Sequence, residues 1–188
     1  MSTIPENATT DATQVPVSLS LSTSAGPHTK RWTREEYYQL AEQGWFQEER
    51  VELVDGEILT MSPQSYEHAN AIHLLYGMLS KVFESNFSVR MQVPLLGGSS
   101  SEPEPDLSIV VGSWQDYADH PCTATLVVEV SLTTLVFDST KKSNLYASMG
   151  VPDYWVLDLV NRQLLVFRES VADENADLGH RYERLETV

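Results

Sequence analysis

Cysteine and long apolar runs are both scarce in this sequence of 188 residues, and each scarcity excludes a class of protein. The single cysteine, Cys122, allows neither an internal disulfide nor a zinc site built from cysteine pairs. No apolar run approaches the roughly 18 residues that a transmembrane helix needs. The first residues also lack the basic segment and apolar stretch of a secretory signal. We therefore expect a cytoplasmic protein with no membrane segment.

Basic residues are few as well. The chain has 12 Lys and Arg against 27 Asp and Glu, which gives a formal net charge of -15. This charge repels phosphate backbones from most of the surface, which argues against strong non-specific binding of nucleic acid. Apolar residues, in contrast, make up 41% of the chain. A chain of this length buries enough of them to form a core without disulfides or a structural metal.

Composition divides the chain into three segments. Residues 1–29 are rich in Ser, Thr, Pro and Ala, which predicts a flexible N-terminal tail. Within it, residues 15–21 alternate apolar and polar side chains, so this stretch could instead dock as an edge strand. Residues 30–170 carry the patterned apolar positions of one domain. Residues 171–188 form an acidic C-terminal extension whose secondary structure the pattern does not decide.

Periodicity and turn residues predict an alternation of helices and strands between residues 33 and 168. A capping box at Thr33 begins one helix, and Asp55-Gly56 between two apolar runs is typical of a β-hairpin. A later helix is expected to begin at Asp138 or Ser139, since either can cap it. The full set comprises helices 33–43, 64–85 and 138–149, the hairpin 51–61, strands 87–95, 106–111 and 125–131, and a closing hairpin of strands 153–159 and 163–168.

Two carboxylates occupy positions where burial is costly. Glu129 lies inside the apolar strand 125–131, and Asp106 follows a proline at the start of strand 106–111. An unpaired buried carboxylate needs a cation, hydrogen bonds or a proton. Two carboxylates from neighbouring strands provide the oxygen ligands that Mg²⁺ prefers. The same residues also fit two plainer roles, a loop cap for Asp106 and a buried ion pair for Glu129.

The helix after the Glu129 strand contributes a lysine. Its apolar residues form one buried stripe, and Lys142 lies on that stripe, whereas Lys141 is rotated by about 100° away from it. We therefore expect the Lys142 amine near Glu129 or Asp106, and Lys141 in solvent. The alternative for Lys142 is a side chain that covers apolar surface and extends its amine to water.

The order of the elements and four motifs within them resemble a known fold family. The motifs are VELVDGEI at residues 51–58, EPD at 104–106, LVVEVS at 126–131 and DSTKKSNLYASMGVPDYWVLD at 138–158. Together they resemble the Uma2 family of restriction-endonuclease-like proteins, in the PD-(D/E)XK nuclease superfamily, over roughly residues 33–168. The resemblance implies an α/β fold with a restriction endonuclease-like core. Its mixed central sheet would be flanked by helices, with an added N-terminal helix and β-hairpin.

The resemblance also implies roles for three residues. Asp106 and Glu129 would hold a metal, Mg²⁺ or Mn²⁺, and Lys142 would be the catalytic lysine. The superfamily places this lysine two positions after the glutamate, where the present chain has Ser131. The lysine therefore looks displaced onto the following helix.

Two further residues match positions of the family. Glu52 belongs to the hairpin motif, and His68 stands at the start of the second helix. Both would be additional members of the catalytic site. Otherwise Glu52 is a solvated hairpin residue, and His68 is a capping or core histidine.

The functional hypothesis is a metal-dependent phosphodiester hydrolase, an endonuclease that acts on DNA. The main alternative is an interaction module of a regulatory assembly, in which the fold is kept and cleavage is lost or incidental; the lack of a basic surface favours it. A third hypothesis is hydrolysis of a small phosphorylated molecule. The closing hairpin has more apolar side chains than one face of a small sheet can hide, which predicts a homodimer or a higher homo-oligomer.

Overall fold

The computed structural model describes residues 27–188. The predicted tail, residues 1–29, lies outside the described residues except for its last three, and so does the alternating stretch 15–21. The helices are α1 (Arg34–Glu42), α2 (Tyr66–Val82), α3 (Leu135–Phe137) and α4 (Ser143–Ser148), and a π-helix, Asp138–Lys142, joins α3 to α4. The strands are β1 (Val51–Val54), β2 (Glu57–Thr60), β3 (Phe87–Met91), β4 (Leu107–Val111), β5 (Leu126–Ser131), β6 (Asp153–Asp158), β7 (Gln163–Ala172) and β8 (His180–Thr187).

The main sheet contains six strands, β3 to β8, arranged in the order of the sequence. Neighbouring strands are antiparallel except β5 and β6, which are parallel. A parallel pair needs a crossover connection, and α3, the π-helix and α4 provide it. β1 and β2 form a separate hairpin that contacts the rest through a bridge between Leu53 and Glu102. The expected α/β fold, with a mixed sheet and an added N-terminal helix and hairpin, is confirmed.

Helices cover both faces of the sheet. On one face, Tyr146 of α4 packs with Tyr154 and Phe167 of the sheet. On the other, Ile72 and Leu79 of α2 pack against apolar side chains of β4 and β5. The continuous apolar run of β5 follows from this arrangement, because a central strand is buried on both faces. Within residues 27–188, no helix is long and apolar enough to cross a membrane.

The turn of the β1–β2 hairpin has a left-handed backbone. Asp55 has φ 49° and Gly56 has φ 71°, the combination expected of a two-residue type I′ turn. A Cβ atom at Gly56 would lie 2.8 Å from Cβ of Arg31, so this position requires glycine. The turn fixes the register of the hairpin, in which Glu52 pairs with Leu59.

One predicted strand and one predicted helix have boundaries that differ from the sequence prediction. The strand predicted to reach residue 95 ends at Met91, because Gln92 adopts φ 53° and leaves the extended conformation. The helix predicted to begin at Asp138 or Ser139 begins at Leu135 instead. Asp138 is not its cap: its side chain is buried within the helix and accepts a hydrogen bond from Oγ1 of Thr134.

The C-terminal residues belong to the sheet. β7 continues to Ala172, past the expected domain boundary at residue 170, and β8 pairs with it in antiparallel register. Tyr182 of β8 is buried in the core beside Tyr154 and Phe167. Residues 171–188 therefore complete the fold, although their composition alone suggested an extension.

The closing hairpin hides most of its own apolar surface. Tyr154 and Phe167 are buried on the α4 side, while Trp155 and Leu157 pack against the core on the α2 side. Self-association was predicted because this hairpin has many apolar side chains. The helices on both faces of the sheet cover them, so they no longer give a reason to expect a dimer. Large exposed apolar side chains lie instead on the outer side of α2.

Candidate active site

A cavity of about 580 Å³ opens beside the N-terminal end of α2 and the hairpin β1–β2. All five residues that the sequence singled out line it: Glu52, His68, Asp106, Glu129 and Lys142. They come from β1, α2, the position just before β4, β5 and the end of the π-helix. Residues far apart in the sequence thus converge on one concave surface.

Asp106 and Glu129 are linked by reciprocal hydrogen bonds. The backbone N–H of Asp106 donates to Oε2 of Glu129 at 3.2 Å, and the N–H of Val130 donates to Oδ2 of Asp106 at 2.8 Å. The register explains the pairing, because Leu107 of β4 lies opposite Val128 of β5 and the preceding residue therefore faces Glu129. Both carboxylates are buried and lie at the same cavity.

Lys142 lies between two carboxylates. Its Nζ donates to Oε1 of Glu129 at 2.8 Å and lies 3.3 Å from Oε2 of Glu52. The lysine and both glutamates are at most 3% exposed. Glu52 is therefore not a solvated hairpin residue, and the Lys142 amine does not extend to water. The amine has the orientation that the helical phase predicted.

Lys141, the residue before Lys142, pairs with Glu57 of β2. Its side chain is 24% exposed, so the expectation that it would be mostly in solvent was wrong. The hairpin approaches the helix closely enough to bind both lysines, with Glu52 facing Lys142 and Glu57 facing Lys141. Only Lys142 contacts the cavity carboxylates.

His68 belongs to the first turn of α2, where its backbone N–H donates to the capping Oγ of Ser65. Its Nε2 lies 3.2 Å from Oδ2 of Asp106. The hydrogen bond to Asp106 raises the pKa of His68, and partial burial only partly opposes this effect. The imidazole is therefore neither a cap nor an apolar core residue: it adds a second positive group beside the carboxylates when it is protonated.

Burial dominates the electrostatics of the cavity. It raises the pKa of Glu129 to about 8 and also raises the pKa of Glu52 and of Asp138, while the charge of Lys142 acts in the opposite direction on all three. For Lys142 itself, burial opposes the charged form, but the attraction of the surrounding carboxylates is larger and raises its pKa. The lysine therefore stays protonated, and the cluster carries more carboxylates than cations.

The donor set fits a hard divalent cation. Within residues 27–188, no three His, Cys, Asp or Glu side chains are arranged to hold a metal by themselves. Magnesium, however, is commonly bound by one or two carboxylates, with water and phosphate oxygens completing its shell, and Asp106 and Glu129 supply two. Oε2 of Glu52 has the Lys142 amine 3.3 Å away as its cation, so this one lysine is shared by two buried carboxylates.

Four further residues of the site had not been singled out from the sequence. Oη of Tyr146 donates to Oε1 of Glu129 at 2.8 Å, and Asp138 lies buried beside Lys142. Arg50 lines the cavity and donates to Oε2 of Glu104 at 3.2 and 3.3 Å. Tyr146 lies on the apolar stripe of its helix, and its hydroxyl gives no separate signal in the sequence, because a tyrosine on such a stripe is most often a core residue.

With this geometry in view, comparison with known proteins identifies the family. Residues 34–187 match the Uma2 family, described as "Putative restriction endonuclease". The chain belongs to the Uma2 family. The match covers most of the described residues, from the first residue of α1 to the last residue of β8. No curated protein matches the chain.

A solved structure shares the fold seen in this Uma2 protein. A crystal structure from Anabaena variabilis, described as "a putative nuclease belonging to DUF820", superimposes with a TM-score of 0.56. The two sequences are 13% identical, and the match covers 74% of this chain and 76% of that one. At this identity the likeness shows the shared fold.

Proposed function

We propose that this Uma2 protein is a metal-dependent endonuclease that hydrolyses phosphodiester bonds in DNA. The observation that carries the proposal is the position of Lys142, whose amine lies 2.8 Å from Glu129 at a cavity that also exposes Asp106. Two carboxylates on adjacent strands with a protonated lysine beside them are the groups that phosphoryl chemistry needs. Family membership supports the same reaction class.

Each residue then has a task. Asp106 and Glu129 are the ligands for one Mg²⁺ or Mn²⁺, which when bound neutralises phosphate charge and makes water a better nucleophile. Lys142 orients the attacking water or stabilises charge on the phosphate oxygens. Glu52 is a positioning residue, since it is a second carboxylate that holds the amine of Lys142 beside Glu129.

The net charge of -15 restricts how nucleic acid binds. Arg50 is the one arginine that lines the cavity among the described residues, and it is held by Glu104. A phosphate next to the scissile one would compete with Glu104 for this guanidinium, because arginine binds phosphate and carboxylate in the same forked geometry. A small footprint on the substrate is therefore favoured over a long basic groove.

A cleavage assay tests the proposal. Supercoiled plasmid, single-stranded DNA and RNA are each incubated with the protein in millimolar MgCl₂ or MnCl₂, and in EDTA. We expect DNA cleavage only with metal. Asp106→Asn keeps an oxygen for the Val130 N–H but loses the ligand charge, so its rate should fall at least about 100-fold. Cleavage of RNA alone would contradict the DNA assignment.

A second candidate function is an interaction module with no cleavage. The absence of a three-ligand metal cluster among residues 27–188 favours it, as does the scarcity of basic residues. Lack of cleavage of all three substrates with either metal, by protein whose folding is confirmed by circular dichroism, would favour this module over the enzyme.

A further inference from the structure

The outer side of α2 carries an apolar stripe that nothing in the described chain covers. Leu74 (58% exposed) and Met78 (63%) form its centre, one helical turn apart, and Tyr66 (80%) and Val82 (73%) lie about 80° to either side of Leu74. The inner side of the same helix is occupied by the core through Ile72 and Leu79. A helix with apolar residues on both sides has a second packing partner or leaves a patch exposed.

The charges that flank the stripe are complementary when the helix is reversed. In an antiparallel pair of α2 helices related by a two-fold axis at Leu74, each residue before 74 lies at the same height as the residue equally far after it. Glu67 and Lys81, each about 20° from Leu74 around the helix, then face each other, whereas Tyr66 and Val82 lie on opposite edges of the contact. Self-complementarity of this kind is what a two-fold interface requires, since the same surface is used by both subunits.

Charge and shape agree with this arrangement. Glu67 stands in the first turn of α2 and Lys81 in the last turn, so reversal brings opposite charges together at both ends. Antiparallel packing also places opposite ends of the two helix dipoles side by side. Near the centre, a Cβ atom at Gly77 would meet no atom within 4 Å, which leaves room for a second helix to approach closely.

We infer that this face binds a second copy of the chain, with the two α2 helices packed antiparallel about an axis at Leu74. The inference does not rest on nuclease activity. It places the interface away from the closing hairpin, whose apolar side chains are already covered. It also leaves the cavity open, because the stripe residues are not among those that line it.

Cysteine cross-linking tests the axis directly. In a Cys122→Ser background, Leu74→Cys places the two new cysteines opposite each other, at the short Cα separation that a disulfide requires. Under mild oxidation we expect most of the protein to run as a covalent dimer that reductant reverses. Val160→Cys, at a position 65% exposed but far from α2 in the sequence, is the matched control and should stay monomeric. Failure of Leu74→Cys to cross-link better than this control would overturn the inference.

Light scattering on the unmodified chain is the second measurement. At about 100 μM the mass should be twice the 21.1 kDa of one chain, and Leu74→Glu with Met78→Glu should return it to one chain by weakening association at least 10-fold. Glu67→Lys should weaken association several-fold, and adding Lys81→Glu should restore it. A wild-type mass of one chain, or a dimer that survives the two glutamates, would overturn the inference.

Discussion

Replacing Lys142 with alanine should abolish metal-dependent cleavage, whereas Lys141→Ala should cleave DNA at the wild-type rate. The two lysines are adjacent in the sequence, but only Lys142 contacts Glu129 and Glu52. Lys141 pairs with Glu57 on the outer side of the hairpin. Both variants lose one positive charge, so they differ only in whether the lost amine contacts the carboxylates of the cavity.

The same substitution should also lower the free energy of unfolding. Lys142→Ala leaves Glu129 and Glu52 buried without their cation, a change that costs about 3 to 5 kcal/mol when one partner of a buried pair is removed. Lys141→Ala should change stability by less than about 0.5 kcal/mol, as expected near the surface. Urea denaturation of both variants measures the difference.

A double variant separates chemistry from folding. Glu52→Gln with Lys142→Met removes one negative and one positive charge together, so it avoids the unpaired charge that Lys142→Ala leaves on Glu52. It should fold more stably than Lys142→Ala and still fail to cleave. Cleavage by this variant near the wild-type rate would exclude a catalytic role for the amine.

The free energy of unfolding in metal-free buffer should fall as pH rises from 5 to 8. Burial raises the pKa of Glu129 from its usual 4.5 to about 8, and its bond to Asp106 raises the pKa of His68. The folded protein therefore keeps protons that the unfolded chain has released, which favours folding at low pH and is lost as pH rises. For Glu129 the change is roughly 3 to 5 kcal/mol.

Glu129→Gln is the matched variant for this prediction. It cannot titrate, so the part of the slope between pH 5 and 8 that Glu129 contributes should disappear, and the parts due to His68, Glu52 and Asp138, whose pKa values are also raised, should remain. The carboxyl groups whose pKa is lowered, such as Asp158, titrate below this range and do not contribute. Denaturant unfolding at half-unit pH steps in EDTA provides the curve. A wild-type stability that rises with pH, or an unchanged slope in the variant, contradicts the assigned burial of Glu129.

The sequence predicted the site best where a polar residue interrupts a strong apolar pattern. Glu129 stands out within β5, and the helical phase placed Lys142 on the buried side. Tyr146 could not be found in this way, because its ring satisfies the apolar pattern while its hydroxyl binds Glu129. In the sequence Asp138 resembled a helix cap. The helix in fact starts three residues earlier, at Leu135, so Asp138 lies inside it, and its side chain is buried.

Elements of the fold were predictable from the sequence where local residues determine them, and not where they depend on contacts with distant parts of the chain. The hairpin turn and the capping box at Thr33 depend on local residues, and both are observed. β8 forms instead because it pairs with β7 in the sheet. Its many charged residues interrupt the alternation of apolar and polar side chains by which a strand is predicted. The outer stripe of α2 also lay hidden, because apolar residues on two sides of a helix read as one long hydrophobic pattern.

Anomalous diffraction from crystals soaked in MnCl₂ tests the central claim most directly, since it locates the metal on which the proposed reaction depends. We expect one peak in the cavity, about 2 to 2.5 Å from oxygens of both Asp106 and Glu129, and no peak there in Asp106→Asn. A saturating soak that leaves the cavity without a peak, or places the ion away from both carboxylates, would contradict it.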